Sequence, residues 1–123
     1  MEGLVKYMLM ICRDEQAWNT LSPADRQQIY AETLALSEEL ASRGQYLGGM
    51  PLHLSSAARS VRVRDGKALV TDGPFAETRE QLGGYMLIDV KGLDEAIAIA
   101  VRVPLARTST VEVRPVREGP PTQ

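Results

Sequence analysis

Apolar side chains occupy both alternating faces of the first patterned segment, residues 5–12 (VKYMLMIC). The two sets are Tyr7, Leu9 and Ile11 on one face, and Met8, Met10 and Cys12 on the other. A strand without a polar face is typical of a sheet that is covered from both sides. The pattern therefore predicts a central strand, and we expect a polar connection with Arg13, Asp14 and Trp18 to follow it.

Two helices are predicted from apolar residues at helical spacing. The first begins after Ser22, a residue type that caps helix N-termini, with Pro23 at the first helical position, and runs to about Arg43. Its apolar stripe consists of Ile29, Leu36 and Leu40, with Thr33 between them. The second helix starts near Leu93 and is stopped by Pro104. Its expected buried face consists of Ala96, Ile97, Ala100 and Val101.

Five further strands are predicted, at residues 46–52, 61–64, 67–71, 83–90 and 109–116. The second and third of these flank Asp65-Gly66, a dipeptide that favours a two-residue type I′ turn because both of its positions tolerate positive φ. They form a predicted hairpin whose arginine face is expected in solvent. Residues 117–123 (REGPPTQ) contain little to bury, and we expect a disordered tail.

The order of these elements predicts an α+β fold of the ferredoxin-like βαββαβ plan with an inserted hairpin. In this plan the two helices cover one face of the sheet only. Since the strand at residues 5–12 is apolar on both faces, the second face needs another cover. The simplest cover is the same sheet of a second copy, which predicts an isologous homodimer.

The 123 residues are enough for one domain, and the net charge of −2 with an isoelectric point of about 5.4 argues against a nucleic-acid-binding surface, which is normally basic. The N-terminal apolar run is too short for a signal peptide or a membrane span, so we expect a cytoplasmic protein without a membrane partner. Cys12, the single cysteine, fits a reducing compartment. It is either a nucleophile or a small buried apolar residue, and we favour the second interpretation.

Residues 71–85 (TDGPFAETREQLGGY) combine a turn, a polar cluster and two glycines before the next strand. Paired glycines at a strand start allow a backbone, a side chain or a ligand to approach closely. The segment resembles the signature of the DGPF branch of the YCII-related family, TDGPFAE-x-[KR]-E-x-L-GGY. The matching positions are Asp72, Gly73, Pro74, Phe75, Ala76, Glu77, Thr78, Arg79, Glu80, Leu82, Gly83, Gly84 and Tyr85. The resemblance makes residues 1–116 one YCII-related domain and implies a dimeric α+β barrel.

Asp72 is the first candidate for chemistry, as a general base or a hydrogen-bond acceptor for a substrate. Its alternative role is an Asx-type turn that fixes Gly73-Pro74. The second catalytic candidate is His53, the only histidine, because histidine is the residue type whose ordinary pKa lies near neutrality. Four further residues are candidates for ligand binding: Glu77, Arg79, Glu80 and Tyr85. One histidine and one distant cysteine do not form a metal ligand set, so no metal or cofactor is expected.

Two functions fit this sequence. The first is a dimer that binds an unidentified small molecule and carries out lyase-type or isomerase-type acid-base chemistry. Better-studied relatives have a His-Asp pair with the histidine on the first helix, and one relative is a dehydrochlorinase, but residues 23–43 contain no histidine, so whether this chain is an enzyme stays open. The second is a non-catalytic regulatory or interaction module, because the DGPF branch also occurs beside or fused to sigma factors of the extracytoplasmic-function type.

Overall fold

A computed structural model describes residues 4–117 of the chain. Within these residues, six strands and three helices follow one another, with short 3₁₀ turns at Ser55–Ala57 and Pro104–Arg107. In chain order the elements are β1 (Val5–Asp14), α1 (Glu15–Thr20), α2 (Pro23–Ser42), β2 (Tyr46–Pro51), β3 (Arg59–Arg64), β4 (Lys67–Asp72), β5 (Glu80–Val90), α3 (Leu93–Val101) and β6 (Val111–Pro115). No helix in this part of the chain is long and apolar enough to cross a membrane.

Four strands form an antiparallel sheet in the order β2-β5-β1-β6, which confirms the predicted α+β class. β1 lies in the middle, as its two apolar faces predicted. The β1–β5 register shifts by one residue where Ile11 pairs with Gly84 and Cys12 pairs with Leu82. Gly83 is therefore the extra residue of a bulge, and bulges change the direction in which neighbouring side chains point.

The core lies between one face of this sheet and the helices α2 and α3. Leu9, Ile88 and Val90 of the sheet are fully buried there, together with Leu40 of α2 and Ala96 of α3. The opposite face of the sheet, which we call the outer face, carries a half-buried apolar group. Its central members are Met8, Met10, Tyr85 and Leu87.

Several details differ from the sequence prediction, among them β3, which begins at Arg59 rather than at residue 61, and β6, which covers Val111–Pro115 rather than residues 109–116. The expected polar connection after the first strand is instead the end of β1 and the short helix α1, because the Asp14 side chain accepts a hydrogen bond from the backbone N–H of Ala17 and caps that helix. β5 begins three residues before the predicted position. On α3, Ile99 is buried, whereas Ile97 and Val101 are exposed, because the buried positions follow the spacing i, i+3, i+4 from Ala96.

The predicted hairpin is a separate two-stranded sheet made of β3 and β4. Its turn is the expected two-residue loop, in which Asp65 has φ 51° and Gly66 has φ 73°. The side chains of the hairpin are exposed on both faces, apart from the half-buried Ser60. Of the predicted disordered tail, residues 118–123 lie outside the described residues, so that expectation stays a prediction.

Candidate functional site

A cleft of about 640 Å³ lies between α2 and the strands β1, β2 and β5. Apolar atoms dominate its lining, with Ile11 and Met86 contributed by the sheet and Ile29 by the helix. Thr33 and Ser37 follow Ile29 at intervals of four residues, so one face of α2 forms the wall. Their hydroxyls donate to the carbonyls of Ile29 and Thr33, which satisfies them within the helix. The wall therefore presents a mainly apolar surface.

Arg13 is the charged residue that is most deeply buried in this cleft, with 3% of its surface exposed. Alternation along β1 places it on the same face as Ile11, directed toward the helices. Its Nη2 donates to the carbonyl oxygen of Leu52 at 2.9 Å, and its guanidinium carbon lies 5.0 Å from the centroid of the Trp18 ring. Its Nε is buried and has no hydrogen-bond partner in the described part of the protein. Arg13 therefore retains donor capacity inside an apolar cleft.

The paired glycines of the signature, Gly83 and Gly84, each make room for a different neighbour. A Cβ on Gly83 would lie 2.9 Å from Nε and 3.0 Å from Cδ of Arg13. A Cβ on Gly84 would lie 3.1 Å from the carbonyl oxygen of Met50 on β2. The sequence predicted that a side chain or a backbone would approach these glycines, and both occur. The Arg13 side chain lies at Gly83, and the Met50 backbone lies at Gly84. Gly83 allows the Arg13 stem to lie flat against the strand.

Aromatic rings close one end of the cleft. The ring of Trp18, from α1, meets the ring of Tyr30, from α2, edge to face at a centroid distance of 5.5 Å. The guanidinium of Arg26 donates to the carbonyl oxygens of Trp18 and Asn19 at 3.2 and 3.0 Å, which fastens α1 to α2. The helix α1, absent from the sequence prediction, thus positions the ring that contacts Arg13.

The carboxylates nearest to Arg13 in the sequence are engaged elsewhere. Asp14 receives a hydrogen bond from Arg79 Nε at 2.9 Å, and this bond, with the cap on α1, holds the pKa of the Asp14 carboxyl below its usual range. Glu15 accepts hydrogen bonds from the backbone N–H and the hydroxyl of Ser55, at 2.7 and 2.5 Å. Within the described residues, Arg13 has no ion pair.

The YCII-related domain profile matches residues 5–119 of this chain. The chain belongs to the YCII-related family. It is also 34% identical over 112 residues to an uncharacterised protein of Rhizobium meliloti (strain 1021), an alignment that covers 89% of this chain and 90% of the relative. The match spans β1 to β6, so the cleft and Arg13 lie inside the family domain.

The two catalytic candidates lie outside the cleft lining of this YCII-related domain. Asp72 ends β4 with its side chain 89% exposed, and its Oδ1 lies 3.1 Å from Arg59 Nε. The turn after it is held by the backbone bond from Gly73 N–H to the carbonyl of Ala58, rather than by the Asp72 carboxylate. His53 is exposed in the connection after β2. Catalytic roles for Asp72 and His53 remain predictions.

The four predicted ligand-binding residues occupy different surroundings. Glu77 is exposed in the loop before β5, and Arg79 is bound to Asp14. Glu80 is opposite Asp14 in the sheet, and its Oε1 is buried without a hydrogen-bond partner among the described residues. Tyr85 pairs with Met10 in the sheet and is the one residue of the four that borders the cleft, although alternation along β5 places its side chain on the outer face.

The polar cluster of the signature also has a structural role. The side-chain amide of Gln81 donates to the carbonyl oxygens of Ala76 and Thr78, each at 3.0 Å. The Thr78 hydroxyl donates to the carbonyl of Glu80 at 2.6 Å. These bonds hold the loop that carries Arg79 toward Asp14, and thereby support α1.

Sequence reasoning missed Arg13, although a signal for it was present. Residues 7, 9 and 11 form the buried face of β1, and an arginine at position 13 continues that alternation. Cys12, by contrast, lies on the outer face, where burial, together with the charges of Glu80 and Glu112, raises the pKa of its thiol. A raised pKa is the opposite of what an activated nucleophile needs. Among the described residues, no group of three or more His, Cys, Asp or Glu side chains could hold a metal ion.

Proposed function

We propose that this protein binds a compact, largely apolar small molecule in the cleft between α2 and the sheet. The observation that carries the proposal is the size and lining of the cleft. Its volume of about 640 Å³ lies within the range of roughly 300 to 1,000 Å³ that is usual for ligand sites. Such sites combine an apolar lining with a few polar groups that fix orientation. Arg13, Tyr30 and Glu38 are polar groups of this kind.

Binding without chemistry, as in a ligand sensor, is the second candidate function. The cleft lining contains no histidine, aspartate or cysteine among the described residues, and Glu38 is its one carboxylate. Acid-base chemistry of the lyase or isomerase type would need Asp72 or His53 to reach a ligand from outside this lining. The composition of the lining therefore favours a regulatory module over an enzyme, and association with an extracytoplasmic-function sigma factor belongs to that alternative.

We further propose that the chain is a DGPF-branch protein with the ferredoxin-like plan, and that it forms a homodimer through the outer face of the sheet. The strand order β2-β5-β1-β6 supports the plan. Met8, Met10 and Leu87 support the dimer, because they leave an apolar surface on the side that α2 and α3 do not cover. An isologous contact would bury the same residues of both copies.

A neutral apolar dye, N-phenyl-1-naphthylamine, tests the cleft because its fluorescence rises in an apolar site. Wild-type protein should bind the dye. Ser37→Phe and Ala41→Phe place a ring in the lining and should weaken binding by about tenfold or more, because one side-chain clash in a packed site costs roughly 1–3 kcal/mol. The matched control is Ala35→Phe, which adds the same ring at an exposed position of α2 outside the lining. Equal affinity in all four proteins would refute the proposal.

A further inference from the structure

Arg13 is a buried cation without a counter-ion in the described structure. Burial of an unpaired charge is expensive, and proteins normally compensate it with an ion pair. The compensation at Arg13 consists of one carbonyl oxygen, that of Leu52, and the face of the Trp18 ring. Structural arginines that merely support a fold are usually paired when they are buried this deeply. An anionic group from outside the chain would supply the counter-ion that the described residues do not provide.

The guanidinium is also held in a fixed orientation. Leu52 restrains Nη2, Trp18 lies against the guanidinium, and the Cβ-free surface of Gly83 receives the stem. A guanidinium carries five N–H donors in a planar fork, and carboxylates fit that fork. Nε, the donor that lies near Gly83, is unpartnered. The guanidinium therefore keeps one orientation at the cleft lining, and its Nε is a donor that the described residues leave without a partner.

We propose that the ligand of this cleft is a monocarboxylate with an apolar body, and that Arg13 receives its carboxylate. This inference rests on the proposed function and adds the chemical class of the ligand. Arg13 is the one cation in the described lining, and the remaining charged residue there is Glu38. A single guanidinium neutralises one negative charge. A phosphate dianion or a dicarboxylate would leave a second negative charge in an apolar cleft that also contains a carboxylate.

The apolar body follows from the remainder of the lining. Ile11, Ile29 and Met86 offer no hydrogen-bonding groups, and the hydroxyls of Thr33 and Ser37 are bound within α2. The remaining polar side chains that α2 contributes, Tyr30 and Glu38, are exposed to solvent. A sugar or a polyol would leave several hydroxyls without partners in these surroundings. An aromatic or branched aliphatic acid places one polar group at Arg13 and apolar atoms elsewhere.

The test compares carboxylates with their own primary amides, which keep the shape and lose the charge. Probes are 1-naphthoate with 1-naphthamide, and a panel of aromatic and aliphatic monocarboxylates, each with its amide. Affinities are measured by titration calorimetry, and the indole N–H signal of Trp18, the single tryptophan, reports by NMR whether binding occurs beside Arg13. At least one acid should bind about tenfold or more tightly than its amide and shift this signal, because hydrogen bonds to charged groups are the stronger class.

Arg13→Met keeps an unbranched side chain beside Gly83 and removes the charge. It should lower the affinity for the acid by about tenfold or more and abolish the preference over the amide, while N-phenyl-1-naphthylamine still binds. Arg13→Lys should retain part of the preference, because it keeps the charge and loses the fork. Arg43→Met, the matched control, removes an exposed arginine at the end of α2 and should leave both affinities unchanged.

The outcomes separate the two proposals. If the dye binds but no acid in the panel is preferred over its amide, or if the preference survives in Arg13→Met, the carboxylate inference is wrong and the apolar cleft stands. If wild-type protein binds neither the dye nor any acid, the proposed cleft function is wrong and the inference falls with it. If the preference for the acid over its amide disappears in Arg13→Met while the dye still binds normally, both the cleft proposal and the carboxylate inference are supported.

Discussion

Gly83→Ala tests whether Gly83, the first of the paired glycines, is needed to make room for the Arg13 side chain. The added Cβ would meet three atoms of the Arg13 stem at 2.9, 3.0 and 3.2 Å. Ordinary contacts between heavy atoms lie at about 3.5–4.0 Å, so the arginine or the strand must move. Overpacking of this kind costs about 1–3 kcal/mol, and the lower chain entropy of unfolded alanine offsets about 0.5–1 kcal/mol of it.

The net expectation is a loss of about 1 kcal/mol, and of about 2.5 kcal/mol at most, in the free energy of unfolding. Each kcal/mol lowers the melting temperature by about 4 °C in a domain of this size. Urea denaturation followed by Trp18 fluorescence measures the first quantity and differential scanning calorimetry measures the second. Because the clash displaces the guanidinium, binding of 1-naphthoate should weaken more than binding of N-phenyl-1-naphthylamine. That difference separates a displaced Arg13 from a general loss of packing.

A double-mutant cycle with Arg13→Ala supplies the control. All three clashing atoms belong to the arginine stem, so in the Arg13→Ala background Gly83→Ala should lose its packing cost and keep the entropic gain of about 0.5–1 kcal/mol. The coupling energy should therefore equal the packing cost of about 1–3 kcal/mol. Gly84→Ala is the matched comparison, since its Cβ would meet the backbone carbonyl of Met50 at 3.1 Å. Its cost should be the same in both backgrounds. An equal cost of Gly83→Ala with and without the arginine would refute this account of the glycine.

Three further predictions follow from the outer face, the α1 cap and the hairpin. Light scattering coupled to size exclusion should give about twice the chain mass of 13.5 kDa, and Met10→Asp should dissociate or unfold the protein, whereas a monomeric wild type would contradict the proposed interface. Arg79 lowers the pKa of Asp14, so the carboxylate stabilises the fold above the ordinary aspartate pKa, and this contribution is lost as the pH falls through the lowered value. The stability difference between wild type and Asp14→Asn, measured by urea denaturation, should therefore be constant above about pH 5 and shrink below about pH 4; a difference that does not change with pH would rule this out. Asp72→Asn should leave the melting temperature unchanged, since the carboxylate is 89% exposed, and a thermal-shift screen of metabolites in which a ligand stabilises wild type alone would support a functional role for this residue, whereas equal stabilisation of both proteins would exclude one.

Local patterns in the sequence were sufficient for most elements of the fold. Alternation along residues 5–12 predicted the central strand, the Ser22-Pro23 start predicted α2, and Asp65-Gly66 predicted the positive φ angles of the hairpin turn. These features depend on backbone sterics and on neighbours within a few residues. The helix α1 was not predicted because its N-cap, Asp14, is also the last residue of the strand β1.

The candidate site depends on contacts between distant parts of the chain. Gly83 meets Arg13 only because β5 pairs with β1 in one register with one bulge, and Leu52 reaches the same arginine from the end of β2. No local pattern states whether a buried arginine has a counter-ion, because the carboxylates beside it in sequence point to other partners in space. The sequence by itself determined most of the elements, the hairpin turn and the family signature. Only the tertiary structure decided which charged group is left unpaired inside the cleft, since burial and pairing are properties of the packed chain.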